Sequence, residues 1–476
     1  MYKGCLLPLL ALLLAPIAAE AAPRRIEVLE TTESLSHRMT PVAPLTLQRT
    51  PTPPADLPVI EVDPGARFQR ILGMGGSLEA TTCSNLWRMA PATRREVLRR
   101  LLDAKTGIGM NLMRVCIGTS DFTGDPWYSY DDLPPGMSDP ELARFSIEKD
   151  RAYLLPILKL AREIRPDLRF FASPWSPPGW MKTTGSLIGG ELKPGNYATY
   201  ARYLVRFIRA YEAEGIPILA LTVQNEPGVD RSKEKDPKWY YPSCHWTGEQ
   251  ERNFIRDHLG PALKAARLKT RIWCYDHNYN ELPSGDDDGI SHPRTILSDP
   301  AAARFVDGVG FHGYAGKPTG MSVFHREFPT KPLYFTEGSV FSPYGSIDLI
   351  ERFRNWAQSY NAWVLILDEK GKPNNGPFAA SRAAIRLHSD TLEAEYLFEF
   401  YNYGHFTREI PPGSTRIGTT AGTFEFSNVA FQRPDGSYTL VVANATQSPR
   451  SFALHIGRDW ATGQLPPRAV QTLSWR

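Results

Sequence analysis

From about residue 69 to residue 367 the sequence alternates short, continuously apolar runs with longer amphipathic stretches. Eight of the runs read as strands: 69–73, 110–117, 168–173, 218–224, 271–275, 306–311, 333–336 and 362–367. Continuously apolar strands belong in a sheet covered on both faces. Between them, 92–102, 150–164, 197–214, 248–266 and 347–359 repeat apolar residues three and four apart, the period of a helix with one buried stripe. Eight such units can close a parallel sheet on itself, so the pattern predicts an α/β fold, a (β/α)8 TIM barrel.

After residue 412 the rhythm changes to short alternating runs, TFEFSNVAFQ and YTLVVANAT, with Asp435-Gly436 as a hairpin turn in RPDGS. These strands are too few for an independent sandwich, so strand candidates near 26–30 and 59–63 are expected to join them. The expected organisation is a signal peptide at 1–22, an N-terminal arm at 23–68 lending strands to a β-sandwich, the barrel at 69–411, and the rest of the sandwich at 412–476.

The leader reading rests on Lys3, the apolar stretch 6–17, and small residues at Ala19 and Ala21 that suit signal peptidase; a secreted or periplasmic protein is expected. No later segment approaches about 20 uninterrupted apolar residues, so no transmembrane segment is expected. A net charge of +3 without a basic run argues against a nucleic-acid partner. Cys83, Cys116, Cys244 and Cys274 are scattered without CxxC spacing and read as buried thiols; neither a metal nor a cofactor is expected. Asp286, Asp287 and Asp288 read as a solvated turn, and Asn444-Ala445-Thr446 is a glycosylation sequon.

Two glutamates stand out because each follows a short apolar run: Glu226 in LTVQNEP and Glu337 in PLYFTEGS. Cleaving a glycosidic bond with retention needs one carboxyl group to protonate the leaving oxygen and a second, roughly 5 Å away, to attack the anomeric carbon. Parallel barrel strands carry residues distant in sequence to one rim, which is where such enzymes place their sites. Glu226 is the candidate acid/base and Glu337 the candidate nucleophile, whose charge is expected to keep Glu226 protonated. Trp175 and Trp180 in SPWSPPGW offer flat faces to a sugar, although Trp175 reads equally as a core residue. Asp121, Asn225, His312, Tyr314 and Trp363 also fall at or beyond strand ends. Arg114, inside the second strand, demands an anionic partner, either Glu337 or a purely structural carboxylate.

The segments GMGGS, MRVCIGTSDF, SPWSPPGWMKT, LTVQNEP, FHGY, YFTEG, GHFTREIPPGSTRIG and TLSWR, in this order, resemble glycoside hydrolase family 30, in the branch of glucosylceramidases, bacterial β-glucosidases and β-1,6-glucanases. The likeness extends over nearly everything after about residue 60. It implies a (β/α)8 barrel with a β-sandwich built from both chain ends, retaining chemistry and no metal. By motif it gives Glu226 the acid/base position and Glu337 the nucleophile position. Asp121, Trp180, Asn225 and Trp363 take glycone contacts, His312 and Tyr314 flank the site, Arg114 partners the nucleophile, and Tyr241 in YYPSC lies on the acid/base loop. Departures are Gly313, where many relatives have tryptophan, and NAWVLILDEKGKPNNGPF, which lacks a Thr-Asp-Trp-Asn run. The expectation is therefore a secreted retaining β-glycosidase acting on a β-glucoside, glycolipid or β-glucan. The alternatives are an endo-β-1,6-glucanase or a non-catalytic carbohydrate-binding protein.

Overall fold

The computed structural model describes residues 25–49, 56–279, 290–378 and 382–476. The expectations for 1–22 and 286–288 lie outside the described residues. Among the described residues no helix is long and apolar enough to cross a membrane.

Eight parallel strands form the barrel: Gly73–Gly76, Leu112–Ile117, Arg169–Pro174, Ile218–Thr222, Arg271–Asn278, Val306–His312, Leu333–Gly338 and Ala357–Ala362. The eighth pairs with the first, and the ring closes between first and second through the parallel bridge Ser77↔Arg114. Six of the eight strands follow the apolar runs, and the other two depart from them for physical reasons.

The first barrel strand is Gly73–Gly76, not 69–73. Residues Val59–Arg70 form one long sandwich strand, and GMGG is glycine-rich because the neighbours are too close for side chains: a Cβ on Gly75 would lie 2.1 Å from the Leu112 carbonyl oxygen. The eighth strand is Ala357–Ala362, not 362–367. Its sequence AQSYNA is polar because it points hydrogen-bonding groups into the barrel, where buried Asn361 donates to the Leu112 carbonyl at 2.7 Å. The apolar run after it leads instead into Ile366–Asp368, part of a separate small sheet with Ile385–Leu387 and Ala394–Tyr396. The preceding helix is Ser342–Arg354, so the expected stretch 347–359 ran into a strand. The long helix expected at 248–266 is interrupted by a wide turn at Ile255–Leu259 just before Pro261.

The sandwich draws on both chain ends, as expected. Nine strands form one hydrogen-bonded sheet in the order Asp459–Leu465, Arg450–Ile456, Val59–Arg70, Thr415–Thr419, Phe426–Gln432, Tyr438–Asn444, Ala469–Trp475, Arg25–Thr32 and Thr40–Thr46. They share a core that includes Val28, Val62, Leu440, Phe452 and Leu473. The first and last of these segments in the chain pair directly, Glu27 opposite Ser474 through Thr32 opposite Ala469. The sequon asparagine is buried here, its amide nitrogen donating to the carbonyls of Ser448 (2.9 Å) and Pro466 (2.8 Å), so a folded chain cannot present it for glycosylation.

Barrel and sandwich meet at the helix Phe398–Thr407, every residue of which is buried. Tyr403 donates to the carbonyls of Gly75 and Tyr360, both at 2.7 Å, holding the first and eighth barrel strands. On the other side His405 bridges Thr472 (2.7 Å) and Thr31 (2.9 Å), one from each end of the polymer. Burial pushes the His405 pKa down to about 3, so the ring is neutral and can accept from one threonine while donating to the other.

Candidate active site

Glu226 lies just past the fourth strand, Ile218–Thr222, in a left-handed turn (φ +50°) whose N–H donates to the Asp276 carbonyl at 3.0 Å. Pro227 turns the chain outward from there. Glu337 lies inside the seventh strand, Leu333–Gly338, and is 4% exposed. A carboxylate oxygen of each, and one ring nitrogen of His312, fall within 4.8 Å of one another. That separation suits double displacement; direct attack by water needs the carboxyl groups roughly 6.5–9.5 Å apart.

Beneath the pair is a floor of buried polar groups. Arg114, fully buried in the second strand, donates to Glu337 Oε2, to Asn225 Oδ1 (2.7 Å), to Asp276 Oδ2 (2.9 Å) and to Ser173 Oγ (3.1 Å). Asp276 is the hub. Its carboxylate accepts from Arg114, Ser173 (3.0 Å), Thr222 (2.7 Å), His312 Nε2 (3.0 Å) and Thr336 (2.6 Å), so residues from the second through seventh strands converge on one anion. Burial alone would raise the Asp276 pKa, but the charges of Arg114 and His312 and the hydrogen bonds outweigh it and hold the carboxyl well below the usual range. The apolar run marks the fifth strand only to residue 275, one short of Asp276. The strand runs on to Asn278, and a polar YDHN tail on an apolar strand was the available signal.

His312 sits between the two glutamates. Burial would lower its pKa, yet the carboxylates of Glu337, Asp276 and Glu226 raise it to about 9, giving an imidazolium that donates from Nδ1 to Glu226 (3.2 Å) and from Nε2 to Asp276. Glu226, His312 and Glu337 are the group of acidic and imidazole side chains close enough to ligate a metal among the described residues, and their contacts are those of a proton-sharing cluster.

The charge states run against the expectation that Glu226 would be the protonated member. Burial pushes the Glu337 carboxyl up, as does the charge of Glu226, against the pull of His312 and Arg114. Glu226 is also buried, but the His312 hydrogen bond and the charges of His277, His312 and Arg231 bring it down to about 2. The resting proton thus lies on His312, one hydrogen bond from Glu226. Tyr314 donates its hydroxyl to Glu337 Oε1 at 2.9 Å, adding to the Arg114 contact. Asp121, 7% exposed, is pushed up to about 8 by burial and by the charges of Glu337 and Glu226, so at neutral pH it can both donate to and accept from a hydroxyl.

Above the floor opens a cavity of about 450 Å³. Asp121, Trp175, Asn225, Glu226, Tyr241, Tyr314, Glu337 and Trp363 line it. Trp175 stacks on Trp363 with centroids 5.2 Å apart, and Phe122 meets Trp363 edge-on at 5.6 Å. Arg114 and His312 reach the glutamates from below. Trp180 is not among the lining residues; its indole N–H donates to the Asp131 carbonyl (3.2 Å) and carboxylate (3.1 Å), and the ring packs on the barrel core.

The lining also holds residues the sequence reading did not single out, including Phe122, Arg231, His277, Phe341 and Phe378. His277, whose pKa burial lowers to about 4, places Nε2 3.8 Å from Glu226. The others sit on loops, where no periodicity marks them. At Gly313, a Cβ would lie 2.8 Å from the Phe335 ring and 2.9 Å from Arg352, so a side chain there would collide with packed groups.

The description Glycosyl hydrolase family 30 TIM-barrel domain matches residues 71–410, and Glycosyl hydrolase family 30 beta sandwich domain matches 413–473. Lysosomal acid glucosylceramidase of Mus musculus is 31% identical over 451 residues, 88% of this chain and 83% of that protein. Endo-1,6-beta-D-glucanase neg1 of Aspergillus fumigatus is 29% identical over 438 residues, 85% of this chain and 84% of that protein. Among solved structures, the endo-beta1,6-glucanase BT3312 superposes with a TM-score of 0.82 at 29% identity, covering 94% of this chain and 99% of that one. The non-catalytic alternative falls with these matches. Barrel, sandwich and converging carboxylates are accounted for together, and the chain belongs to glycoside hydrolase family 30, as a glycosidase.

Proposed function

We propose that the protein is a retaining β-glycosidase that hydrolyses β-glucosides by double displacement through a covalent glycosyl-enzyme. The observation that carries this reading is the approach of Glu226 and Glu337 oxygens to within 4.8 Å across the cavity floor. In the first half-reaction a Glu337 oxygen attacks the anomeric carbon while the glycosidic bond breaks. Glu226 gives a proton to the departing oxygen, which leaves as an alcohol. The proton is at hand on His312, 3.2 Å from Glu226 in a hydrogen bond along which it can shift as substrate displaces water. Ester formation removes the Glu337 charge. Glu226 then takes a proton from water, the water oxygen attacks the anomeric carbon, and the Glu337 carboxylate is regenerated as the sugar is released.

The floor supports this sequence. Burial makes Glu337 more basic and hence more nucleophilic, while Arg114 and Tyr314 hold its orientation. A glucose ring has flat apolar faces and equatorial hydroxyls, and Trp175, Trp363, Asn225 and Asp121 offer the matching surfaces. Incubation with a 2-deoxy-2-fluoro-β-glucoside carrying a dinitrophenyl leaving group tests the reading. A stable adduct on the peptide containing Glu337, with retention seen by proton NMR on ordinary substrate, is expected; inversion would overturn it.

An endo-β-1,6-glucanase is the second reading, favoured by the open aromatic margin of the cavity, where Tyr314 is 48% and Phe378 43% exposed. Products from a long β-1,6-glucan separate the two: oligosaccharides for internal cleavage, glucose for release from the end. Export is part of the proposal, on the strength of the apolar leader at 6–17. Sequencing the mature N-terminus from the extracellular or periplasmic fraction checks it.

A further inference from the structure

The chemistry above leaves the acid/base side of the cavity margin unused. Three rings meet there: Tyr241 and Phe378, which line the cavity, and Trp239, on the short turn Pro237–Trp239, which lies beyond the lining against Phe378. Phe378 lies 6.0 Å from Trp239 and 5.9 Å from Tyr241, centroid to centroid. Trp239 and Phe378 keep 37% and 43% of their surface in solvent. Large rings held open at the lip of a catalytic cavity are surfaces awaiting a contact.

Arg231, on the loop that follows Glu226, completes the cluster. Its guanidinium lies over the Tyr241 ring at 4.5 Å and the Phe378 ring at 5.5 Å. It donates to the Tyr241 hydroxyl and to Glu234 Oε1, both at 2.7 Å, while its buried Nε has no hydrogen-bond partner. Glu234 already balances the charge, so an anionic aglycone would meet an occupied cation. A hydrocarbon chain would cover the guanidinium without offering it an acceptor, which is unfavourable. A neutral pyranose fits both features: its C–H face covers the rings and its hydroxyl oxygens accept from the arginine.

Resting on the β-glucosidase reading above, we propose that Trp239, Phe378 and Arg231 form the aglycone subsite and that it selects a neutral sugar over a lipid as leaving group. The test compares kcat/KM for β-linked glucosyl-glucose disaccharides, octyl β-glucoside and 2,4-dinitrophenyl β-glucoside, in the wild type and in Trp239→Ala, Phe378→Ala and Trp239→Phe. The ratio of disaccharide to octyl glucoside is expected to fall about tenfold in each alanine variant and to recover largely in Trp239→Phe. An equal fall on all three substrates, a larger fall on octyl glucoside, or a wild type that prefers octyl glucoside to every disaccharide overturns the proposal. Turnover of the dinitrophenyl glucoside in those cases leaves the reaction class standing, whereas a wild type inert on all three overturns that reading too.

Discussion

The floor of the cavity and its mouth are built in opposite ways. On the floor, Asp276 takes five hydrogen bonds from residues of five other strands, and each donor is buried. At the mouth, Trp239, Tyr241 and Phe378 come from loops and meet through ring contacts, with two of the three substantially exposed. Glu226 stands on the boundary, its side chain 17% exposed and its carboxylate hydrogen-bonded to His312. The difference teaches where each property resides. On the proposed function, strand-borne groups that hold one another would fix the reaction, and loop-borne rings would decide what it is applied to.

If that division is right, floor variants should lose activity on every β-glucoside alike. Glu337→Gln is expected to lower kcat about 10⁴-fold or more whatever the leaving group; residual activity above about one per cent would break the comparison. Glu226→Ala, at the boundary rather than on the floor, should cost about 10²–10⁴-fold. Its loss should be greatest on alkyl glucosides and smallest on dinitrophenyl glucoside, with added azide restoring the latter as a glycosyl azide. Asp276→Asn removes an anion without removing volume and leaves Arg114 and His312 facing a neutral amide. About 10²-fold lower kcat is expected, equal for sugar and alkyl aglycones, together with a lower melting temperature. A loss confined to one aglycone would show that floor and mouth are not separable.

The pH dependence of stability sharpens the same contrast. His312 titrates at about 9 in the folded protein against an ordinary value of 6.5. Its stabilising contribution is therefore complete below about 6.5 and is lost as pH rises through 9. Thermal melts across that window should show a decline that flattens in His312→Gln; an unchanged alkaline slope would remove the imidazolium from the account. The smallest effect is expected from Tyr314→Phe, which deletes one hydrogen bond to Glu337 and should reduce kcat by about tenfold or less.

Where the sequence was legible, and where it was not, follows the same physics. Strands buried on both faces, such as Leu112–Ile117 and Leu333–Gly338, carry their identity in composition, and the two candidate glutamates could be found at or just past the ends of such strands. Gly73–Gly76 and Ala357–Ala362 escaped because their side chains answer to local contacts: no room beside Leu112 for one, inward hydrogen bonds for the other. Asp276 escaped for a related reason, since a carboxylate at the end of an apolar strand looks like the start of a loop until five donors are seen around it. Trp239 and Phe378 lie on irregular loops from distant parts of the chain, and only the folded arrangement brings them within 6.0 Å. Family motifs supplied Tyr241, which periodicity could not. They also assigned Trp180 a sugar contact, whereas in this chain it is Trp175 that faces the cavity.

The threonines that clasp His405 come from the first and last described strands, so one imidazole on a helix of the catalytic cylinder is tied to segments near both ends of the polymer. Trimming either extremity would strip a partner from a neutral ring sealed inside the protein and open the all-buried helix around it to water. Such a molecule should melt as one cooperative body, and a catalytic half expressed alone should be insoluble rather than merely less active.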